Sequence, residues 1–298
     1  MFDFRLKVFY TVAKRGSFTK ASKELLISQP AVTKHIQEIE ANYQTKLFVR
    51  DGMKIHLTEA GKLLYTYAEE IFSIYRNLEF DIHALNAKMD GSLRVGASTT
   101  ISQYVLPPLL AEVRKKVNDL HLDVVSDNTN AIENLLLNKT IDVGLVEGYS
   151  KNPQIKYIDF IKDEIVLVCS SNNELAKRGS IKPQELKELS FLLRETGSGT
   201  LDVVDTTLKE IGITLSDLTN EMNFSSTESI KMYLMHSDSV AFLSVHAILK
   251  ELRYNELSIV DIEGLDISRT FSLIQRQGQE SALVELFIRF VQNHNLKL

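Results

Sequence analysis

The sequence predicts a chain in three parts: a small helical head carrying a helix-turn-helix, one long helix, and an α/β body. Three observations predict it. The first 58 residues hold two short helical patterns separated by three residues. The segment that follows runs to Gly91 with a near-heptad apolar repeat, and from Ser92 onward short β-rich runs alternate with helical ones. The charge follows the same division. Residues 1–58 carry 10 Lys and Arg against 5 Asp and Glu, a net of +5, leaving 24 against 34, a net of −10, for the rest. A basic head on an acidic body points to a polyanion partner for the head alone.

In GSFTKASKELLISQPAVTKHI, Gly16 to Ile36, the apolar series Phe18, Ala21, Leu25 stops, and Val32, Ile36, Ile39 begins a new one. Ser28 is a good N-cap and Pro30 falls in the first turn, where a missing N–H costs nothing. Helices over 18–25 and 29–41 are therefore expected, with Leu6, Phe9, Val12 and Ala13 closing a three-helix core beneath them. The second helix of such a pair presents its N-terminal side chains to the major groove. Gln29, Thr33, Lys34 and His35 are the candidates, offering an amide for adenine, a hydroxyl, and cations for phosphate or guanine. Ser17, just ahead of the first helix of the pair, joins the DNA-binding candidates.

The run FYTVAKRGSFTKASKELLISQPAVTKHIQEIE, followed by KLFVRDGMKIHLTEAG, resembles the winged helix-turn-helix of LysR-type transcriptional regulators. The resemblance implies that Gln29, Pro30 and Thr33 face double-stranded promoter DNA and that Arg50 and Lys54 lie in or beside the wing, against phosphate. Two positions depart from the pattern: Tyr43-Gln44 stands where the family has Leu-Gly, and Thr33 replaces Ser while keeping the hydroxyl.

After Thr58, a further N-cap, apolar or small residues recur at Ala60, Leu64, Tyr67, Ile71, Ile74, Leu78, Ile82 and Leu85. This spacing predicts a linker helix over 59–89, about 45 Å long at 1.5 Å per residue. A helix of that length has little of its own chain to lie against, so Leu64, Tyr67, Ile71, Ile74 and Leu78 are expected to form a dimer seam. The LysR-type resemblance implies the same, a homodimer or homotetramer.

The body, 90–298, reads as two lobes with largely parallel sheets, the first about 90–161 and 268–298, the second about 162–267. Two crossings, near 161–164 and 265–269, make it similar to a periplasmic-binding-protein-like effector domain with a cleft at the strand C-termini. Two strand-to-helix loops carry chemistry. Ser98, Thr99 and Thr100 bring hydroxyls to a helix N-terminus in the first lobe, and Arg194, Ser198 and Thr200 do so in the second, with Thr129 and Glu147 at further strand ends and Thr227 at a third helix start. With Glu147 the only evident counter-anion, these groups are expected to clamp a small anion. The sequence GSGT lacks a following GK[ST], which excludes a Walker loop.

The body resembles the LysR-type branch that controls sulfur assimilation or carbon fixation, through STTI, Y.LP, NT, D.GLVEG and RE.GSGT. That resemblance implies an anionic effector such as a sulfur oxyanion, a carboxylate or a sugar phosphate. Leu201 stands where the branch has Arg, and Ser237-Asp238-Ser239 where it has Gly.Gly.

Two other classes compete. A solute-binding component of a transport system fits the two-lobed body but not the basic head. An enzyme needs a reacting constellation, and the seven histidines show no HExxH spacing, nor does a GxSxG elbow occur. No catalytic residue, metal ligand or cofactor is expected. The single cysteine, Cys169, lies in the apolar run IVLVCS, which suits a buried thiol better than a redox switch. The N-terminus MFDFRLKVFY has no apolar signal core, so a cytoplasmic protein with no membrane partner is expected. Its partners are then promoter DNA, a small effector and a second copy of the chain, with RNA polymerase an open further partner.

Overall fold

The computed structural model describes residues 3–51, 54–86, 91–117, 120–149, 151–278 and 281–293. Two compact units divide the chain, Met1–His83 and Ala84–Leu298.

In the first unit, α1 (Phe4–Arg15), α2 (Phe18–Leu25) and α3 (Gln29–Tyr43) pack around Val8, Phe9, Val12, Ala21, Val32, Ile36, Ile39 and Leu47. The break between α2 and α3 has a local cause. Leu26 ends α2 in the left-handed region, φ 54°, Ile27 turns back toward the core, and Ser28 caps α3 by accepting from the Ala31 N–H at 3.3 Å. Gln44 likewise closes α3 at φ 52°, the conformation for which glycine is the unstrained residue. The buried Glu40 accepts from the Leu47 N–H at 2.9 Å and pairs with Lys46 at 2.6 Å, tying α3 to the hairpin β1 (Phe48–Asp51) and β2 (Lys54–Leu57). That antiparallel pair, Arg50 opposite Ile55, is the wing.

Thr58 caps α4 (Glu59–Asn86), accepting from the Gly61 N–H at 3.0 Å. Gly61 lets the helix approach the head closely: a Cβ there would lie 2.2 Å from the Leu47 carbonyl oxygen. Leu64 is a correction to the expected seam. With Ala60 and Tyr65 it packs against the head's core, and Ala68 and Phe72 on the same side are buried. Tyr10 stacks on Tyr65 at 5.2 Å and tilts against Phe72. Tyr67, Ile71, Ile74 and Leu78 instead stand 42–67% exposed, joined by Leu63, which the heptad reading passed over. The side chains of Ile82 and Leu85 lie outside the described residues.

The second unit is built on a mixed sheet rather than a largely parallel one. Strands β3 (Gly91–Ser98), β4 (Leu120–Asp127) and β5 (Val143–Val146) run parallel, linked by α5 (Leu106–Lys116) and α6 (Thr129–Leu137). A π-helical turn, Ile101–Val105, precedes α5. The segments QIKYIDF and EIVLVCS, which read as separate strands, form one 16-residue strand, β6 (Ile155–Ser170). No Pro or Gly interrupts it, and β-branched and aromatic residues recur along its length.

Beyond β6 come α7 (Glu174–Arg178), β7 (Ser180–Ile181), β8 (Ser190–Arg194), α8 (Gly199–Glu210) and β9 (Thr219–Phe224). Then follow α9 (Thr227–Leu234), β10 (Ala241–Ser244), α10 (Val245–Arg253), β11 (Leu257–Ile262), β12 (Ile267–Arg276) and α11 (Ala282–Asn293). Strand β12 pairs antiparallel with both β5 and β6, from Ile267 opposite Ile165 to Arg276 opposite Ile155, with a bulge at Phe271/Ser272. The crossings between lobes are thus two adjacent strands of one sheet, ordered β4-β3-β5-β12-β6-β11-β7. Among the described residues, no helix is long and apolar enough to cross a membrane.

Candidate functional site

Two sites are built on this frame. In the head, Gln29 and Pro30 are exposed at the start of α3 and Lys34 is 76% exposed, with Glu38 4.0 Å away. Thr33 is half-buried and its hydroxyl donates back to the Gln29 carbonyl at 3.1 Å. The Thr19 hydroxyl donates to Gln29 Oε1 at 3.4 Å. Ser17 caps α2, accepting from the Lys20 N–H. His35 is more enclosed, lying edge-on to Phe4 and 3.5 Å from Glu38. Arg50 and Lys54 occupy the wing strands, and their side chains lie outside the described residues.

Within the body the expected effector residues separate into two groups. The first is anchored by Glu147, at the end of β5, whose Oε1 accepts from Thr100 at 3.2 Å and from Thr200 at 3.1 Å. Thr129 donates to the Glu147 carbonyl at 2.8 Å, and Ser198 caps α8. Arg269, which sequence reasoning passed over, holds this group: its side chain is fully buried, 3.0 Å from Glu147 Oε2, and bonded to Asp163 at 2.7 Å and Thr200 at 2.9 Å. The only signal for it is a charge among apolar residues of ISRTFSLIQR, because a buried charge needs a partner.

At this point the lobes touch directly. A Cβ on Gly199 would lie 2.2 Å from the Glu147 carbonyl oxygen, so the second glycine of GSGT serves close packing. Glu147 therefore occupies the space at which the Thr100 and Thr200 hydroxyls converge. The adjoining cleft, about 220 Å³ and lined by Thr129, Asn130 and Ser198, also carries Asp202 and Asp205. Its acidic lining argues against an anion there.

The second group surrounds Arg194 at the end of β8, a residue 4% exposed. Its guanidinium donates to Thr227 at 3.3 Å, to Thr99 across the cleft at 3.4 Å and to the Ser225 carbonyl at 3.5 Å. Shorter bonds go to Glu195, at 2.9 and 3.1 Å. The expectation that only Glu147 balances the positive groups is corrected by Glu195, and the signal was its position next to Arg194. Ser98 is buried, and its hydroxyl has no partner among the described residues. Leu201, in place of an arginine, packs against the second lobe's core.

Tyr104 bonds across the cleft to Glu228. Burial pushes the Tyr104 hydroxyl well above the ordinary tyrosine range, and the Glu228 carboxylate acts in the same direction. Burial opposes ionisation of Glu228, but bonds from Lys231 and Tyr104 outweigh it and keep its carboxyl below the usual range. Burial also pushes the Cys169 thiol up to about 11, so the reactive thiolate is scarce at neutral pH.

A helix-turn-helix head on a two-lobed body with polar groups converging between the lobes defines a DNA-reading protein with a ligand-sensing domain. Residues 4–62 match "Bacterial regulatory helix-turn-helix protein, lysR family" and residues 86–295 match "LysR substrate binding domain". The chain belongs to the LysR family of DNA-binding transcriptional regulators. It is 31% identical over 290 residues to "HTH-type transcriptional regulator CysL" of Bacillus subtilis, covering 97% of this chain and 96% of that one. It is 33% identical over 273 residues to "Probable RuBisCO transcriptional regulator" of Emiliania huxleyi, covering 91% and 87%. The regulatory domain of Synechocystis PCC6803 CcmR in complex with 2-PG has the same fold, with a TM-score of 0.63 and 24% identity over 68% of this chain and 96% of that one.

Proposed function

We propose that this regulator responds to a small oxyanion held at Arg194 between the lobes, acting from the cytoplasm as a homodimer or homotetramer. The observation that carries the effector class is a nearly buried guanidinium among hydroxyls from both lobes, Thr99 and Thr227, at the N-terminal ends of helical segments. Such a group is a fixed positive charge that rewards a bidentate anion. The 2-PG complex of CcmR supports the same reading. Thermal melting of the full chain against sulfate, phosphate and small carboxylates tests it. A true effector at a hundred times its Kd adds about 2.7 kcal/mol, and Arg194→Gln should abolish that upward shift. A neutral compound that shifts the wild type and Arg194→Gln equally would refute the reading.

In the head we propose that Gln29 reads a base edge with Pro30 and Thr33 beside it, while Lys34, Arg50 and Lys54 meet phosphate. Ser17 sets the first helix against the backbone, and His35 lies at the margin. Gln29→Ala should cost about 1–3 kcal/mol and relax base preference. Lys34→Ala should weaken all sequences alike and flatten the salt dependence by about one phosphate contact. Anisotropy titrations on specific and scrambled duplexes at several salt concentrations separate the two effects.

A further inference from the structure

Arg194 ends β8 and Glu195 follows it directly. Neighbouring side chains on a strand point to opposite faces, so these two can meet only where the backbone leaves the strand. It does so here. The Glu195 N–H still takes a ladder bond, to the Phe224 carbonyl at the end of β9 at 3.2 Å, and directly beyond it the Ser198 N–H bonds the Glu195 carbonyl at 3.1 Å, turning the chain toward α8. The Glu195 carboxylate swings back and takes one edge of the guanidinium in a fork, Oε2 to Nε at 2.9 Å and Oε1 to Nη2 at 3.1 Å. Among the described residues it is the one ion-pair partner of Arg194.

The pair is lopsided. The Arg194 side chain is 3% exposed and that of Glu195 is 22% exposed, so the carboxylate can turn out into water while the guanidinium stays behind. The other contacts of Arg194 are to neutral oxygens at 3.3–3.5 Å, and they leave its charge without compensation once Glu195 departs. A buried charge deprived of its partner is costly, so departure is favourable only when another anion arrives.

We infer that Glu195 is an internal stand-in for the effector, and that the effector binds by displacing this carboxylate from Arg194. The inference rests on the reading of Arg194 as the anion site, and it sharpens the ligand class. A replacement must present two oxygens from one centre to the Nε/Nη2 edge, as a carboxylate, phosphate or sulfate does and a halide does not. It also gives the ligand a route to the lobe contact. Glu195 starts the turn that carries Gly197, whose carbonyl accepts from the Asn130 N–H of the first lobe at 3.3 Å. The displaced carboxylate thus belongs to the same short turn as a direct bond between the lobes.

Calorimetric titration of the full chain with inorganic phosphate, with chloride at matched ionic strength as control, tests the displacement. Glu195→Gln removes the competing charge and should bind phosphate at least tenfold more tightly than wild type. Without phosphate this variant should melt lower than wild type, and phosphate but not chloride should restore it. Glu195→Asp, whose shorter side chain loosens the fork, should fall between the two and serves if the Gln variant does not fold. Equal or weaker phosphate binding by these variants would overturn the displacement and leave Arg194 as an anion site. Phosphate binding retained by Arg194→Gln, or absent from both wild type and Glu195→Gln, would instead overturn the anion site itself.

Discussion

Replacing Arg269 with methionine should cost the body about 3–5 kcal/mol, the expected penalty for breaking a buried ion pair from one side. The substitution strands two carboxylates at once, since Asp163 and Glu147 are 0% and 2% exposed at the side chain. It also removes the donor to Thr200 at 2.9 Å, one of the bonds around Glu147 where the lobes meet. Lysine should not rescue the loss, because a single ammonium does not reproduce the planar fork that reaches both acids. Against a domain stability of about 5–15 kcal/mol, the melting temperature should fall by about 10 °C or more. The chain has no tryptophan, so calorimetry is the natural measurement. A loss below about 1 kcal/mol would show that the cluster is not the joint described here.

A charge in the exposed stripe of α4 should have an effect of similar size on assembly while leaving the fold alone. Ile74 is 67% exposed in the single chain, so Ile74→Asp costs little there. In a dimer that covers the stripe, the same carboxylate is buried without a partner and costs several kcal/mol. Sedimentation should show smaller species, and affinity for paired half-sites should fall by tenfold or more, because a symmetric dimer places two recognition helices one helical turn apart. Leu64→Asp makes the contrast. Packed against the head's core, Leu64 should destabilise the head rather than loosen the assembly alone. An unchanged oligomer in Ile74→Asp would move the interface to the body.

These two residues mark where the sequence was legible and where it was not. Local chemistry located α3, because Ser28 and Pro30 state a helix start in three residues, and it located Thr58 for the same reason. The spacing of Leu64 was also legible, but not its direction. A helix that packs on its own head with one face and offers another outward shows two overlapping apolar stripes, and the heptad blends them. Strand β6 shows in the sequence as two runs, IKYIDF and EIVLVCS, because periodicity marks runs of strand residues without saying whether neighbouring runs join. Arg269 is the harder case. Its partners, Asp163 and Glu147, lie 106 and 122 positions away, so the pairing depends on sheet order, which local patterns do not encode.

The strand-to-helix loops proposed for the effector are legible in the sequence because hydroxyls ahead of a helix are a short-range signal. Thr99, Arg194 and Thr227 do converge. The internal carboxylates at the same place were underweighted, because a glutamate after an arginine reads as a solvated pair until its exposure is known. The sequence GSGT does not state why Gly199 is glycine; its lack of a side chain is what allows α8 to meet Glu147.

Under the proposed function, an oxyanion at Arg194 governs how this LysR-family protein engages promoter DNA. Footprinting of the full chain on its upstream DNA, with and without the oxyanion that raises its melting temperature, tests this most directly. The affinity or the length of the protected region should change with the oxyanion in wild type and stay fixed in Arg194→Gln, which should still bind DNA. A footprint that is indifferent to every stabilising oxyanion, or that responds equally in Arg194→Gln, would contradict the account.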